Sequence, residues 1–450
     1  MRRFDIITLQ AGWTVFNVDA IEEYLGRFPG RAKREEYRGA REFEASMPSV
    51  EKIVIAGAGQ AGGRAAEALR SAGFRGSITM IGEEKHPPYE RPQLSKELLA
   101  TLDASVAYLK PASDWTEVLD VKMITGAAVV ACDAERQTVA TGDGKLFDYD
   151  RLLLATGTQP RRIKTLEGTD TRVHYLRNIE DAMHLRQSFN RQSRIVIIGG
   201  GVIGLEAACA AAKHGCDVTV VESEERLLAR AFPGLVSEVV EARHRNHGVR
   251  FEFGVTVAAG TTNGVRLTNG TELKAEIVLV GIGVEPTNAI ARDLGLSADA
   301  GIEVDAFGRT AVSNVFSAGD VALQWSKCHD RAIRVETWAN AQNQAICVAG
   351  NMAGGNREYD DPPWFWSDQY DLNIQVVGDM LNADHVVRGD CQSDRFSVAA
   401  MRGSEIAGAI SINAAKDMAM FRRLVARQSR LNRSDIESTA YDLRQALKTN

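Results

Sequence analysis

Residues 195–222 read IVIIGGGVIGLEAACAAAKHGCDVTVVE. Four apolar residues run into Gly199-x-Gly201-x-x-Gly204, an alanine-rich stretch follows, and a second apolar run ends on Glu222. This order predicts a buried parallel strand, a tight turn, a close-packed helix and a second strand. Gly199 permits the turn, Gly201 lets a pyrophosphate approach the backbone, and Gly204 lets helix and strand pack closely. The N–H groups that open the helix, at Val202 and Ile203, point at the bound anion. Glu222 lies 18 positions after Gly204, where a carboxylate accepts from a ribose 2′-hydroxyl and repels a 2′-phosphate, so the unit reads as NAD(H)-preferring.

The chain holds a second copy. From Lys52 it reads KIVIAGAGQAGGRAAEALR, with Gly57-x-Gly59-x-x-Gly62 enclosing Gln60 and Ala61. A second apolar run, Ile78 to Ile81, leads to Glu83, 21 positions after Gly62, again the ribose position. Its neighbour Glu84 reads as merely solvated. Two such units imply two dinucleotides, FAD for the first and NAD(H) for the second, because a nicotinamide needs a redox partner for its hydride.

With 450 residues the chain exceeds one ordinary core, and about two to four domains are expected. Hydrophobic residues make up 44% and charged residues 25%, the balance of a soluble globular protein. A net charge of −6 gives no basic surface for nucleic acid, and no apolar run reaches the length of a bilayer span. The expectation is a cytoplasmic protein that binds neither nucleic acid nor membrane. None of the six cysteines forms a C-x-x-C pair, so no redox dithiol or metal knuckle is expected. Cys209 and Cys216 read as packing residues.

Residues 1–46 carry mixed charges and read as an extension of unknown role, with Met47 a candidate translation start. Prolines at 87, 88 and 92 hold the segment around Arg91 as a rigid loop until about Leu94, where a helix opens. Lys96 then belongs either to a surface loop or over a flavin, where a cation favours the negative charge of the reduced ring. Residues 121–157 read as short strands with a hairpin at Thr141–Gly144, ending in Leu152-Leu-Leu-Ala155-Thr156-Gly157, a small turn that can lie against a cofactor. The strand and turn Ile277–Pro286, with Gly283, parallel it. Asn314–Val321 ends a strand at Gly319-Asp320-Val321, where the carboxylate can meet ribityl hydroxyls and the backbone a pyrophosphate. Thr337 reads as a helix cap, and Trp338 either as core or as a cover for a ring face. After Gly355 short alternating runs predict an antiparallel sheet, and 417–448 a helix, together a third, α+β domain.

These ordered motifs resemble the FAD-dependent ferredoxin reductases of bacterial oxygenase systems, the putidaredoxin-reductase and biphenyl-dioxygenase-reductase type. The likeness covers residues 50–450 and rests on the paired glycine turns, RPQLSK at 91–96, LLLATG at 152–157, FSAGDV at 316–321, ETWANAQ at 336–342 and FWSDQY at 365–370. It implies an α/β fold with two Rossmann-like domains: an FAD domain interrupted by the NAD domain (50–160 and 285–360, around 161–284), followed by a C-terminal α+β domain at 361–450. It further implies FAD contacts from Gly57, Gly59, Ala61, Glu83, Arg91, Lys96, Val129, Arg177, Asp320 and Trp338. Lys96 is implied to pair with Glu206 near the nicotinamide, which makes these two the candidate catalytic residues. Gln93 replaces the proline usual in R-P-P-L-S-K.

The function so implied is electron transfer from NADH through FAD to a [2Fe–2S] ferredoxin that feeds a terminal oxygenase, a Rieske dioxygenase or cytochrome P450. The acidic ferredoxin would dock on basic residues near the flavin edge. A disulfide or peroxide reductase would need a cysteine beside the flavin, and neither Gly62–Arg70 nor the L-S-K loop has one. Rubredoxin reductase, and a redox-gated flavoprotein like apoptosis-inducing factor, remain as alternatives. The chain reads equally as monomer or homodimer.

Overall fold

In the computed structural model, which describes residues 50–101, 103–167 and 172–449, the described residues build three five-stranded sheets, two parallel and one antiparallel, beside four smaller ones. The extension at 1–46 and the start at Met47 lie outside these residues. The first sheet runs Val315–Ser317, Arg151–Leu154, Lys52–Ala56, Ser77–Ile81, Val121–Ile124, every pair parallel. Its central strand Lys52–Ala56 is buried at all but its first residue, which is why the sequence is continuously apolar there and does not alternate. The second sheet runs Arg250–Phe253, Asp217–Glu222, Arg194–Ile198, Ile277–Val280, Arg172–His174, with Arg194–Ile198 central and buried in the same pattern. Each central strand passes through its glycine turn into a helix, Gln60–Ser71 or Val202–Lys213.

The second sheet is drawn from residues between two paired strands of the first. Arg151–Leu154 lies beside Val315–Ser317, and the Ser317 hydroxyl donates to Leu154 O at 2.9 Å across 163 positions. The chain leaves the first sheet through Thr158–Pro160 and returns through Val284–Pro286, and these two segments pair antiparallel as a ribbon. Backbone bonds from Arg161 to Gly283 and from Thr287 to Gly157, both 3.0 Å, extend that ribbon at its two ends.

The C-terminal sheet is antiparallel, in the order Trp364–Gln369, Leu372–Gly378, Glu405–Ile412, Arg395–Arg402, Asp384–Asp390. One face packs on Met418, Phe421 and Leu424 of the helix Ala415–Ala426. Ile374, Val376, Ile410 and Ile412 pack against Leu205, Val236 and Val240 of the second unit. The single helix expected over 417–448 is broken. After Ala426, Gln428 takes φ +50° and Arg430 bridges to Glu405 as a short β contact. The buried Arg388 guanidinium then takes the carbonyls of Ile436 at 3.2 Å and Tyr441 at 2.9 Å. A buried cation needs acceptors, and here it finds them in backbone that a continuous helix would have used internally.

Where the C-terminal strand Trp364–Gln369 meets the helix Gly234–Asn246, His244 is fully buried and its Nε2 lies 2.9 Å from Gln369 Oε1. Phe251 and Tyr370 pack edge-on against it, and His247 stacks on Tyr370. Burial pushes the imidazole pKa from 6.5 down to about 4, and His247 adds to the effect. Between these values the unfolded chain binds a proton that the fold excludes, so the stability it contributes is complete above pH 6.5 and is lost as pH falls toward 4. Urea midpoints at pH 7 and pH 5 should fall on acidification by an amount that His244→Gln reduces, the slope from this group approaching about 1.4 kcal/mol per pH unit. An equal acid sensitivity in the variant would remove His244 from this account.

Candidate functional site

The first glycine turn gathers most of the residues expected at the first dinucleotide. Gly57 has φ +122°, and a Cβ there would lie 2.1 Å from Ala155 O, so side chains are excluded. Gly62 would clash with Gly57 O at 1.9 Å. Gly59 differs: a Cβ on it meets only the Arg91 guanidinium, Nη2 at 3.6 Å and Nε at 4.0 Å, so this glycine faces the open side of the turn. It heads the helix with no side-chain cap, and the first turn carries no acidic residue, which leaves positive backbone groups for an anion. The amide of Gln60 is buried with neither atom partnered among the described residues, which asks for a polar group there.

Arg91 lies over this turn, donating to Tyr89 Oη at 3.0 Å and to Arg177 O at 2.7 Å. Arg177 pairs with Asp320 at 3.6 Å, and a Cβ on Gly157 would approach Arg177 Nη2 to 3.3 Å. A Cβ on Gly319 would stand 2.9 Å from that of Ala61. Thr156 Oγ1 donates to Thr287 O at 2.6 Å and so ties the Ala155–Gly157 turn to the returning chain. Val129 and Val321 pack in the hydrophobic cluster with Val54, Ala56 and Leu154.

Glu84 departs from expectation. It is not merely solvated: it pairs with Arg91 at 2.5 Å and accepts from Tyr89 Oη at 2.6 Å, while Glu83 is exposed. Burial, together with this carboxylate, pushes the Tyr89 hydroxyl pKa far up, so it serves as a neutral donor. Of the two adjacent carboxylates, Glu84 meets the half-buried Arg91 guanidinium and Glu83 is left to solvent.

The second turn repeats the first. Gly199 has φ +110° and a Cβ there would lie 2.4 Å from Gly281 O; Gly204 would clash with Gly199 O at 2.1 Å; around Gly201 the space is open. Gly201 heads the helix whose first residues are Val202 and the 47% exposed Ile203. Glu222 accepts from Gly200 N at 2.7 Å and from Glu224 N at 2.9 Å, so its carboxylate stands at the turn. Gly283, φ +101°, would place a Cβ 3.7 Å from Arg230 Nη1.

Lys96 and Glu206 join a loop of the first unit to the helix of the second. The Lys96 side chain is 10% exposed, which removes it from the surface-loop reading, and its Nζ lies 3.0 Å from Glu206 Oε1. The loop predicted to stay irregular until Leu94 closes one 3-10 turn at Arg91–Leu94, then the short helix Glu97–Ala100, so Lys96 sits at a helix entry and points inward. Lys96 Nζ also meets Asp368 Oδ2 at 2.9 Å and stands 5.8 Å from the Trp366 ring. Trp338 packs edge-on against Trp366 and donates its indole N–H to Glu90. Thr337 caps the helix Trp338–Met352 by accepting from Asn340 N at 3.1 Å, as expected.

Ser95, Ser367 and Asp368 carried no role in the sequence reading, although they stand inside RPQLSK and FWSDQY. Ser95 Oγ donates to Glu206 Oε2 at 2.5 Å and Ser367 Oγ to Oε1 at 2.7 Å. Burial opposes ionisation of Asp368, yet the Lys96 ammonium and the Asn373 amide, 2.7 Å away, outweigh it and hold the carboxyl below its usual range. Cys209, on the same helix as Glu206, accepts from Tyr370 N at 3.2 Å, and burial raises its thiol pKa, which is the state of a packing residue. Among the described residues no helix is long and apolar enough to cross a membrane.

Comparison with known proteins agrees with this architecture. Residues 51–345 match the model of the pyridine nucleotide-disulphide oxidoreductase family and residues 364–447 the reductase C-terminal domain. The chain is 41% identical over 397 residues to the ferredoxin–NAD(+) reductase component of the p-cumate 2,3-dioxygenase system of Pseudomonas putida, covering 88% of this chain and 98% of that relative. The ferredoxin reductase for the CYP199A2 system from Rhodopseudomonas palustris superposes with a TM-score of 0.85 at 34% identity, over 88% of this chain and 99% of that one. The reductase of the covalent putidaredoxin reductase–putidaredoxin complex superposes with a TM-score of 0.84 at 31% identity, over 89% and 99%. With twin glycine turns, a bridging lysine–glutamate pair and an added antiparallel domain, the chain belongs to the pyridine nucleotide-disulphide oxidoreductases, among the ferredoxin–NAD(+) reductases.

Proposed function

We propose that this chain is an NADH-dependent flavoprotein reductase whose electrons leave singly to a [2Fe–2S] ferredoxin feeding a Rieske dioxygenase or a cytochrome P450. FAD supplies the chemistry that links the two halves, since it accepts a hydride from NADH and releases electrons one at a time. The carrying observation is the Lys96–Glu206 pair, which ties a loop of the first nucleotide unit to the helix of the second at 3.0 Å. In this reading the FAD domain comprises 50–160 and 285–360, the NAD domain 161–284 and the C-terminal domain 361–450.

Gly57, Gly59, Gln60, Ala61 and Gly62 form the bed for the FAD pyrophosphate, with the backbone of Gly319 and Val321. Arg91 and Arg177 neutralise it, and Glu83 and Asp320 hold hydroxyls. Val129 and the Ala155–Gly157 turn complete the pocket. Gly199, Gly201, Val202, Ile203 and Gly204 cradle the NADH pyrophosphate, Glu222 selects the free 2′-hydroxyl, and Gly283 leaves room for the nicotinamide arm. Lys96 places a positive charge where the reduced ring gathers negative charge, and Glu206 fixes both the lysine and the approaching nicotinamide. Trp338 and Trp366 exclude water from the same space. The enzyme works in the cytoplasm as a monomer or homodimer.

The purified protein should show flavin absorbance that NADH bleaches far faster than NADPH, and it should then reduce a [2Fe–2S] ferredoxin from an oxygenase system. Rapid bleaching with turnover of rubredoxin in place of ferredoxin would change the acceptor. Slow bleaching without turnover of either would replace the reductase reading with a redox-gated binding protein.

A further inference from the structure

Glu206 is buried at 3% exposure and is met by donors from two distant segments: Ser95 and Lys96 from the loop before Glu97–Ala100, and Ser367 from the C-terminal strand Trp364–Gln369. Its Oε1 takes Lys96 and Ser367, and its Oε2 takes Ser95. A buried carboxylate without donors is costly, so each of these bonds fixes where the charge sits. The next residue on the C-terminal strand, Asp368, meets the same lysine at 2.9 Å and is itself pinned by the Asn373 amide at 2.7 Å. One ammonium is thus shared by a buried and a half-exposed carboxylate, the exposures being 3% and 48%. Behind Ser367, Gln369 Nε2 donates to the serine hydroxyl at 3.0 Å, and Gln369 Oε1 faces the buried His244. The polar chain therefore continues inward and holds the serine from behind.

We infer that Ser367 and Asp368 are positioning residues for electron transfer, through which the C-terminal domain sets the geometry and the net charge of the Lys96–Glu206 pair. This rests on the reductase reading above. One ammonium against two carboxylates leaves the cluster with a single net negative charge. Replacing Asp368 by asparagine keeps the shape and makes the cluster neutral, which favours negative charge on a reduced flavin nearby. Replacing Lys96 by methionine acts in the opposite sense. Ser367 is neutral, so its loss loosens Glu206 without changing the formal charge.

The test is a dye-equilibrated reductive titration of the flavin-loaded protein, with NADH steady-state kinetics on the same samples. Asp368→Asn should raise the flavin midpoint potential, Asp368→Glu should keep it near wild type, and Lys96→Met should lower it. Ser367→Ala should lower kcat about fivefold with little change in KM for NADH, the size of one buried hydrogen bond, while the potential stays near wild type. Thermal unfolding and flavin content identify any variant that fails to fold; where Asp368→Asn does, Asp368→Ser, which removes the same charge, carries the comparison with the same rise expected. Potentials of Asp368→Asn and Lys96→Met that move together, or an Asp368→Asn enzyme identical to wild type in potential and kcat, would overturn the inference. A wild-type protein that binds no flavin, or is not reduced by NADH, would instead overturn the reductase reading and is seen before any variant is made.

Discussion

Glu222→Arg should lower kcat/KM for NADH by about 100-fold or more and raise that for NADPH, the scale of losing charged hydrogen bonds to a ribose and gaining a partner for a 2′-phosphate. The carboxylate also works for the fold: it accepts the N–H of Gly200 inside the glycine turn at 2.7 Å and that of Glu224 at 2.9 Å. Arginine accepts neither, so part of the loss reflects a loosened turn. Glu222→Gln separates the two effects in part, because its single amide oxygen can still accept from Gly200 N while the Glu224 bond to the other oxygen is lost and the charge that repels a 2′-phosphate is gone. The glutamine variant should therefore lose less thermal stability than the arginine variant and lose most of the discrimination. An arginine variant with unchanged cofactor preference refutes the role given to this carboxylate.

Lys96→Ala should be the most damaging single change at the centre. It strands the Glu206 carboxylate at 3% exposure with only the two serine donors, and breaking a buried pair from one side costs about 3–5 kcal/mol. The serines place the outcome at the lower end of that range, and Asp368, half-exposed, turns to solvent at little cost. Pairing Lys96→Ala with Glu206→Gln should recover a large part of the lost unfolding free energy, since no buried charge is left unpaired. Neither variant should recover the rate of flavin bleaching by NADH. A single mutant as stable and as fast as wild type would remove the pair from both structure and mechanism.

Much of this arrangement was legible because it is local. Strand, Gly-x-Gly-x-x-Gly turn and alanine-rich helix dictate one another over about thirty residues, and both turns form with Gly57 and Gly199 at positive φ against a neighbouring carbonyl. Thr337 was legible for the same reason, a cap being read from the residues beside it. Long-range partners were not. Nothing near Glu84 announces that Arg91, seven positions on, folds back over the first turn to claim it. Ser367 meets Glu206 across 161 positions, a contact set by how the C-terminal sheet rests on the second unit, which side-chain periodicity does not encode. The helix expected at 417–448 failed for a related reason, since propensity counts only neighbours and Arg388 competes for the same carbonyls from another strand.

The ribbon of Thr158–Pro160 and Val284–Pro286 has a mechanical consequence. Two hydrogen-bonded strands running side by side resist being stretched or slid past each other, because either motion breaks their ladder, but they flex across their thin direction. Gly157 and Gly283, both at positive φ, stand at the ribbon's two margins. Everything between Arg161 and Gly283 therefore hangs from the first sheet by one paired neck, and the Lys96–Glu206 contact joins the two units at a second point.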